Sequence, residues 1–143
     1  MIKIREFKMD DFDQLVKLWI STKIPFKPKG RDKYNKIKKE LKNNNSIFLI
    51  AEVEGKIIGS VFGTHDGRKG WINRLAIAPD FQRKGIAKKL CKDIEKRFYK
   101  AGIEIIGCLI ENWNIKSKIF FEKLGYTKHE DIYYYTKRKN KFT

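Results

Sequence analysis

Apolar residues near the start of the chain recur every three or four positions, which is the spacing of an amphipathic helix. Before them, Ile2, Ile4 and Phe7 predict a short strand. The pair Asp10-Asp11 then supplies a capping residue for the helix. The apolar face of that helix comprises Phe12, Leu15, Val16, Leu18 and Trp19. We therefore expect the chain to begin with a strand followed by a helix.

A loop and a second helix are predicted next. Two prolines and a glycine within residues 24–30 end the first helix and form the loop. Residues 32–42 again have helical spacing, and most of their polar positions are lysines. The positions of this second helix that are expected to face inward are Tyr34, Ile37 and Leu41.

The middle of the chain predicts three strands in succession. Residues 47–53 form the first, and Glu54-Gly55 supplies the turn of a hairpin. Residues 56–63 form the return strand, and residues 64–70 the next turn. The third strand, residues 71–78, is ended by Pro79, which cannot donate a hydrogen bond to a sheet.

Helices and strands alternate in the last third of the chain. A helix over residues 85–100 is followed by residues 103–110, an almost continuously apolar stretch expected to be a strand buried on both faces. A helix over residues 115–124 is ended by Gly125, and residues 126–137 predict one or two last strands before a frayed basic end. No linker or repeat divides the chain. We therefore predict one α+β domain over residues 1–143, with a mixed sheet and helices on both faces.

Composition excludes several classes of protein. With 143 residues, of which 41% are hydrophobic, the chain is the size of one domain and too apolar to be disordered. No apolar run approaches the ~20 residues of a membrane span, and no signal sequence is evident. Cys91 and Cys108 lack CxxC spacing and clustered histidines, which argues against a zinc site and a disulfide scaffold. We expect a cytoplasmic protein without a bound metal.

The net charge of +16 raises the question of a nucleic-acid partner. The basic residues are mainly lysines spread along the chain, and only seven are arginines, the residues that best read bases. No helix-turn-helix or RNA-recognition pattern is present. A solvated, lysine-rich surface is therefore the favoured interpretation, and a basic nucleic-acid-binding module is the alternative.

Residues 71–90 carry the clearest chemical signal. A strand ends at Pro79, a short loop follows, and Gly85 begins an amphipathic helix. The first turn of a helix has free N–H groups and partial positive charge, which suit a phosphate group. Four basic residues add charge there: Arg83, Lys84, Lys88 and Lys89. The common nucleotide-binding loops, GxxxxGK[ST] and GxGxxG, are absent, so an ordinary basic helix start is the competing interpretation.

Two blocks of sequence resemble the GNAT superfamily of acetyl-CoA-dependent N-acetyltransferases. The hexad QRKGIA, residues 82–87, resembles the superfamily's Q/R-x-x-G-x-G/A signature, and RLAIAP, residues 74–79, resembles its R-L-A-V-x-P strand end. Asn114, Ser117 and residues 120–126, FFEKLGY, resemble N-x-x-A-x-x-F-Y-E-K-L-G-F. The order of predicted elements agrees over nearly the whole chain. The resemblance implies a mostly antiparallel mixed sheet with a splayed central strand pair and helices on both faces.

The resemblance also implies a cofactor site and a reaction. The backbone of one strand would pair with the pantetheine arm of acetyl-CoA, through Leu75, Ala76 and Ile77. The loop would grip the diphosphate, through Gln82, Arg83, Lys84, Gly85, Ile86 and Ala87, and Asn114 would hydrogen-bond the cofactor. An amine would approach from the opposite face, between residues 21–31, the turn at 64–70 and the last strands, and attack the thioester directly. Cys91 and Cys108 would be spectators.

Two positions depart from the superfamily's pattern. Phe121 stands where many members have a tyrosine as general acid, and Asn73 stands where many have a glutamate as general base. Asn73 can order a water molecule but cannot accept a proton at neutral pH. Glu111, at the end of the strand beside the gap, is the candidate for a water-relayed base. Further candidates for the missing groups are Tyr133, Tyr134, Tyr135, His65 and His129.

A weak base restricts the amines that such a site could use. Presenting a neutral lysine side chain, with a pKa of about 10.4, costs ~4.6 kcal/mol at neutral pH, whereas an α-amine costs only ~1–1.4 kcal/mol. The expected acceptor is therefore a small molecule or a protein N-terminus, and the basic surface should tolerate acidic or nucleotide-like acceptors best. A CoA-binding protein with little catalysis is the alternative that Phe121 and Asn73 motivate. The resemblance makes a homodimer plausible.

Overall fold

A computed structural model describes all residues, 1–143, of the chain. Five strands form one sheet: β1 (Lys3–Glu6), β2 (Ser46–Val53), β3 (Lys56–His65), β4 (Lys69–Ile77) and β5 (Ile105–Cys108). Four α-helices accompany it: α1 (Phe12–Thr22), α2 (Tyr34–Leu41), α3 (Ile86–Lys100) and α4 (Ile115–Lys123). Short 3-10 turns, Met9–Asp11 and Pro79–Phe81, precede α1 and follow β4.

The sheet is mixed and mostly antiparallel, as predicted. Its strands lie in chain order, with antiparallel pairing from β1 to β4 and parallel pairing between β4 and β5. The β4–β5 ladder ends where Ile72 pairs with Cys108, although β4 continues to Ile77. The second half of β4 therefore has a strand neighbour on its β3 side alone, and this opening beside residues 73–77 is called the gap below.

Apolar side chains form a separate cluster on each face of the sheet. Helices α1 and α2 cover one face, where Trp19 and Ile37 pack with Phe62. Helix α3 covers the other face, where Ile94 and Phe98 pack with the second cluster. A β-carbon at Gly63 would lie 2.6 Å from Cδ1 of Ile94, so the close approach of α3 to β3 requires glycine there. The prediction of an α+β fold with a mixed sheet and helices on both faces is confirmed.

Four sequence-based expectations are wrong. Residues 126–137 form no strand, and β5 covers only four of the residues expected at 103–110. Strand β5 is not buried on both faces, because it is the edge strand and Ile105 is 58% exposed. Tyr34 does not face inward and is 45% exposed, since its ring packs edge-to-face on Phe12 at the margin of the core.

The helices of this structure are too short or too polar to span a lipid bilayer.

An ion pair beside the first helix predicts a pH dependence of stability. Arg5 donates two hydrogen bonds to the carboxylate of Asp11, at 2.8 and 2.9 Å, and the Lys8 N–H donates a third. The Arg5 hydrogen bond holds the pKa of Asp11 below its usual value, against the opposing effect of burial. A depressed folded-state pKa stabilises the fold above the unfolded-state value of about 3.9, and this contribution is lost as the pH falls through the folded-state pKa.

Replacing Asp11 by asparagine should therefore lower the free energy of unfolding by about 1–3 kcal/mol near neutral pH. The difference from the wild type should shrink as the pH falls below the unfolded-state value of about 3.9 and should vanish once the pH has passed the lower folded-state pKa of Asp11. Urea titrations at neutral pH and at a series of acidic pH values measure it. Asp10→Asn is the control, because Asp10 is exposed and makes no ion pair. An Asp11→Asn deficit that does not change with pH would contradict the assignment.

Candidate functional site

The gap exposes unpaired backbone groups of β4. Ala76 is paired with Ser60, and the Ala78 N–H donates to the Ile58 carbonyl at 2.8 Å, so the backbone of Ala76 is turned toward β3. Because N–H and C=O point in opposite directions across a trans peptide, the Leu75 carbonyl and the Ile77 N–H are turned into the gap. Of the three predicted residues Leu75, Ala76 and Ile77, only Leu75 and Ile77 therefore direct backbone groups into the gap.

The chain bulges just before these residues. Arg74 has a left-handed conformation, with φ of 53°, and the register of β4 against β3 shifts at this point. The Arg74 carbonyl accepts a hydrogen bond from the Ser60 hydroxyl at 2.7 Å, which directs the next N–H, that of Leu75, away from β3. The bulge therefore adds a donor to the gap.

A loop rich in free N–H groups begins at the end of β4. Arg83 and Gly85 have left-handed conformations, with φ of 61° and 79°. The N–H groups of residues 83–85 donate to no acceptor in the protein, and no side chain caps the first turn of α3. The first intrahelical bond that uses Gly85 is donated by Lys89, so the N–H groups of residues 86–88 are also free. Six consecutive N–H groups, residues 83–88, form what we call the cradle.

The cradle is suited to an anion by its charge as well as its geometry. Successive N–H groups in such a turn converge on one point, and the start of α3 adds partial positive charge. The side chains of Arg83, Lys84 and Lys88 are exposed around it. A β-carbon at Gly85 would have nothing within 4 Å, so the space in front of the cradle is open. The arrangement can bind a phosphate or diphosphate.

Three other predicted residues contribute structurally to the cradle. The Gln82 amide donates to the Ile77 carbonyl at 3.1 Å and so ties the loop to the end of β4. Ile86 is buried in the core, and Ala87 packs against the same apolar cluster. For Ile86 and Ala87, the part of the residue available to a ligand is therefore the backbone N–H.

Asn114 lies at the start of α4, beyond the end of β5. Its side-chain oxygen accepts the Ser117 N–H at 3.2 Å and caps the helix, while its amide nitrogen has no partner in the protein. Glu111 is exposed on the segment between β5 and α4, and its carbonyl accepts the Asn114 N–H at 2.9 Å. The Glu111 carboxylate makes no hydrogen bond or ion pair.

Of the residues considered for proton transfer on β4 and the C-terminal segment, Asn73 alone lies on the strand that borders the gap. Phe121 is buried, with its ring edge-to-face on Phe120 and Tyr126, so it is a core residue. Asn73 is exposed on β4 and makes no side-chain hydrogen bond. His65 lies at the opposite end of β4 from the gap, paired with Gly70. Four candidates lie on the exposed C-terminal segment: His129, Tyr133, Tyr134 and Tyr135.

A polar network behind the bulge escaped the sequence analysis. Arg74 donates to Asp32 at 2.6 Å, and its guanidinium lies 5.7 Å from the ring of Trp19. Trp19 in turn donates to the hydroxyl of Ser60, which bonds the Arg74 carbonyl. Asp32 also accepts the Lys27 N–H at 2.6 Å. The sequence singled out Arg74 only as part of the RLAIAP block. Its pairing with Asp32 could not be predicted, because Asp32 lies 42 positions earlier in the chain.

The two cysteines are predicted to be unreactive. Burial raises the pKa of Cys91 to about 12 and that of Cys108 to about 11, so neither forms a thiolate near neutral pH. Iodoacetamide should therefore modify neither thiol of the folded protein near pH 8, by mass spectrometry, and should modify both in urea. The Cys91→Ala/Cys108→Ala variant should retain the activity of the wild type. Fast alkylation accompanied by loss of activity would instead indicate a covalent role.

Sequence comparison identifies related proteins over most of the chain. A sequence model of the acetyltransferase (GNAT) family matches residues 12–126. An acetyltransferase of Sodalis glossinidius is 31% identical over 137 residues, which cover 96% of this chain and 95% of that protein.

Solved structures share the fold. The aminoglycoside acetyltransferase AAC(6')-Iy, in complex with a bisubstrate analogue of CoA and acetylneamine, superposes with a TM-score of 0.80 at 18% identity, covering 96% of this chain and 99% of that one. A PaiA N-acetyltransferase of Thermoplasma acidophilum, in complex with coenzyme A, has a TM-score of 0.76 at 20% identity and covers 87% and 88% of the two chains. At these identities the likeness establishes the fold alone.

Proposed function

Because the chain belongs to the acetyltransferase (GNAT) family, whose sequence model matches most of it, we propose that it transfers an acetyl group from acetyl-CoA to a primary amine. The protein is an acyltransferase by this membership. One observation supports the choice of donor: the six free N–H groups of the cradle follow directly after the half of β4 that has no strand neighbour on the gap side. A diphosphate and an extended amide-bearing arm are the two chemical features that such a pair of sites binds.

The proposed donor site uses backbone groups almost throughout. The cradle, residues 83–88, would hold the diphosphate of CoA. The Leu75 carbonyl and the Ile77 N–H would pair with the amides of the pantetheine arm, as an added strand would. The free amide nitrogen of Asn114 would donate to the arm from the other side of the gap. Because these contacts are main-chain contacts, the side chains of Leu75 and Ile77 remain available for packing.

The reaction we propose is a direct transfer. The amine nitrogen attacks the thioester carbon, a C–N bond forms, and the C–S bond breaks to release the CoA thiolate. The Leu75 N–H, freed by the Arg74 bulge, would donate to the oxygen that becomes negative in the transition state. The nitrogen then loses one proton, and the thiolate gains one. No acyl-enzyme is needed, which agrees with the raised pKa of both cysteines.

No carboxylate or histidine on β4 can accept the proton. Asn73 would position a water molecule that receives the proton, and Glu111 would accept it from that water. Phe121 cannot supply the proton for the thiolate, so solvent would do so. A site of this kind favours amines that are already neutral at working pH.

Phe121 and Asn73 also motivate a second function. Without an acid at Phe121 or a base at Asn73, the protein would bind CoA and catalyse little, acting as a CoA-responsive partner protein. Phe121 is buried and its ring has no proton to donate, which supports this alternative.

Thermal unfolding with acetyl-CoA and CoA, followed by an amine panel, separates these functions. Saturating acetyl-CoA should raise the unfolding temperature progressively with its concentration. Release of the CoA thiol, together with an N-acetylated product seen by mass spectrometry, would establish transfer. Stabilisation without product on any amine would favour the CoA-binding alternative. The absence of stabilisation at millimolar ligand would contradict both.

A further inference from the structure

Two basic segments of the chain meet on one side of the molecule. Residues 23–42 contain nine lysines and arginines against two carboxylates, a net charge of +7 out of the total of +16. Residues 137–141 add four basic residues and no acid. These two segments, which we call the basic rim, hold eleven of the sixteen net charges in 25 residues. Residues 83–100, which include the cradle, carry a similar net charge of +6, so the rim is distinguished by its position rather than by its charge density.

The first segment of the rim is attached to β4, the strand that borders the gap. Asp32 is 8% exposed and bonds Arg74, the residue between Asn73 and Leu75 on β4. Asp32 also accepts the Lys27 N–H, which closes the loop on itself. The loop before α2 is therefore attached to the strand position at which the thioester would react.

Both carboxylates of this segment are turned inward. Asp32 is paired with Arg74, and Glu40 is half-buried nearby. Burial and the negative charge of Asp32 raise the pKa of Glu40, while Arg74 opposes the rise. The side chains that the segment presents to solvent on this side are consequently basic: Lys23, Lys29, Arg31 and Lys33 are all exposed.

The second segment of the rim lies against the first. A β-carbon at Gly30 would overlap the carbonyl oxygen of Phe142, so the end of the chain touches this loop. The ammonium group of Lys29 also lies 5.7 Å from the centre of the Phe142 ring. The C-terminal lysines and arginine thus add their charge to the same side of the molecule.

We infer that the acceptor is a small primary amine that also carries an anionic group, a phosphate or a carboxylate. The inference rests on the proposed function and names its substrate class. A concentrated positive field draws anions toward a cleft and repels cations. The cradle is occupied by the diphosphate of the donor, so the rim remains available for the acceptor. Polyamines and aminoglycosides, which are polycations, should be poor acceptors for this chain.

Matched pairs of amines test the substrate class. Glucosamine 6-phosphate is compared with glucosamine, and glycine with glycinamide, while kanamycin and spermidine serve as polycations. For at least one pair, kcat/KM of the anionic member should exceed that of the neutral member by about tenfold or more at low salt. The preference should shrink as salt is added, because screening weakens the field. A preference within the glucosamine pair would indicate recognition of a phosphate, and one within the glycine pair recognition of a carboxylate.

Matched charge variants test the location. Lys27→Gln/Lys29→Gln/Arg31→Gln removes three charges from the rim and should lower kcat/KM for the anionic amine by about tenfold. Lys3→Gln/Lys56→Gln/Lys96→Gln removes three exposed charges elsewhere and should change it by less than about twofold. The KM for acetyl-CoA should be the same in both variants, which separates an effect on the acceptor from one on the donor.

Several results would overturn the inference without touching the proposed function. They are a preference for neutral or polycationic amines, equal use of both members of each pair, or equal effects of the two triple variants. Failure of both anionic amines in a protein that binds acetyl-CoA would overturn it as well. A wild-type protein whose unfolding temperature is not raised by acetyl-CoA would instead contradict the proposed function itself.

Discussion

Replacing Gly85 by aspartate should weaken acetyl-CoA binding by about 100-fold or more, equivalent to at least ~2.7 kcal/mol. Gly85 has φ of 79°, a conformation that aspartate adopts at a cost, and its N–H is in the middle of the cradle. The new carboxylate would occupy the open space in front of the cradle and would accept the N–H groups that the diphosphate needs. Isothermal titration with acetyl-CoA measures the loss.

Gly102→Asp is the matched control. Gly102 follows the other end of α3, has φ of 86°, and would likewise place its β-carbon in open space. The substitution therefore carries the same charge and the same backbone strain without entering the cradle. Its affinity for acetyl-CoA should stay within about threefold of the wild type, which is ~0.7 kcal/mol. Equal losses in the two variants would indicate general destabilisation and remove the support for the cradle.

Replacing Asp32 by asparagine should lower the free energy of unfolding by about 2–4 kcal/mol. Asparagine keeps an acceptor for the Lys27 N–H but leaves the guanidinium of Arg74, 13% exposed, without a full counter-charge. The Nε atom of Arg74 already has no hydrogen-bond partner, so no hydrogen bond of that atom would compensate for the weakened interaction with residue 32. Urea unfolding measures the loss, and kcat should fall with it because the Arg74 bulge positions the Leu75 N–H.

The double variant Asp32→Asn/Arg74→Gln separates charge from packing. With both charges removed, no buried charge is left unpaired, so stability should recover to within about 1–2 kcal/mol of the wild type. The kcat should stay low, since the Arg74 side chain no longer holds the bulge. A double variant less stable than Asp32→Asn alone would show that Arg74 contributes chiefly through its packing on Trp19 rather than through the ion pair.

The local parts of the molecule could be predicted from the sequence. The spacing of apolar residues is sufficient for α1 and α3, because each buries one face against the sheet. The cradle was also predictable, since a strand end, a short loop and Gly85 lie within one contiguous stretch. Backbone chemistry of this kind depends on neighbours in the chain, which a sequence displays directly.

The features that the sequence analysis predicted wrongly or missed depend on residues that are distant in the chain. The apolar run at 103–110 suggested a strand covered on both sides, but β5 lies at the edge of the sheet and no later strand covers it. The pairing of Asp32 with Arg74 arises from tertiary structure alone. The left-handed conformations of Arg74 and Arg83 had no signal either, because neither residue is the glycine that usually marks them.

The central claim is that the cradle and the gap of this chain bind CoA through their backbone. The most direct test is the change in amide resonances of the 15N-labelled protein as CoA is added. We predict the largest shifts at residues 83–88, together with Leu75 and Ile77, and little change at the turn between β3 and β4. Shifts confined to the basic rim, with the cradle amides unmoved, would mean that CoA is held by surface charge alone and would contradict the account.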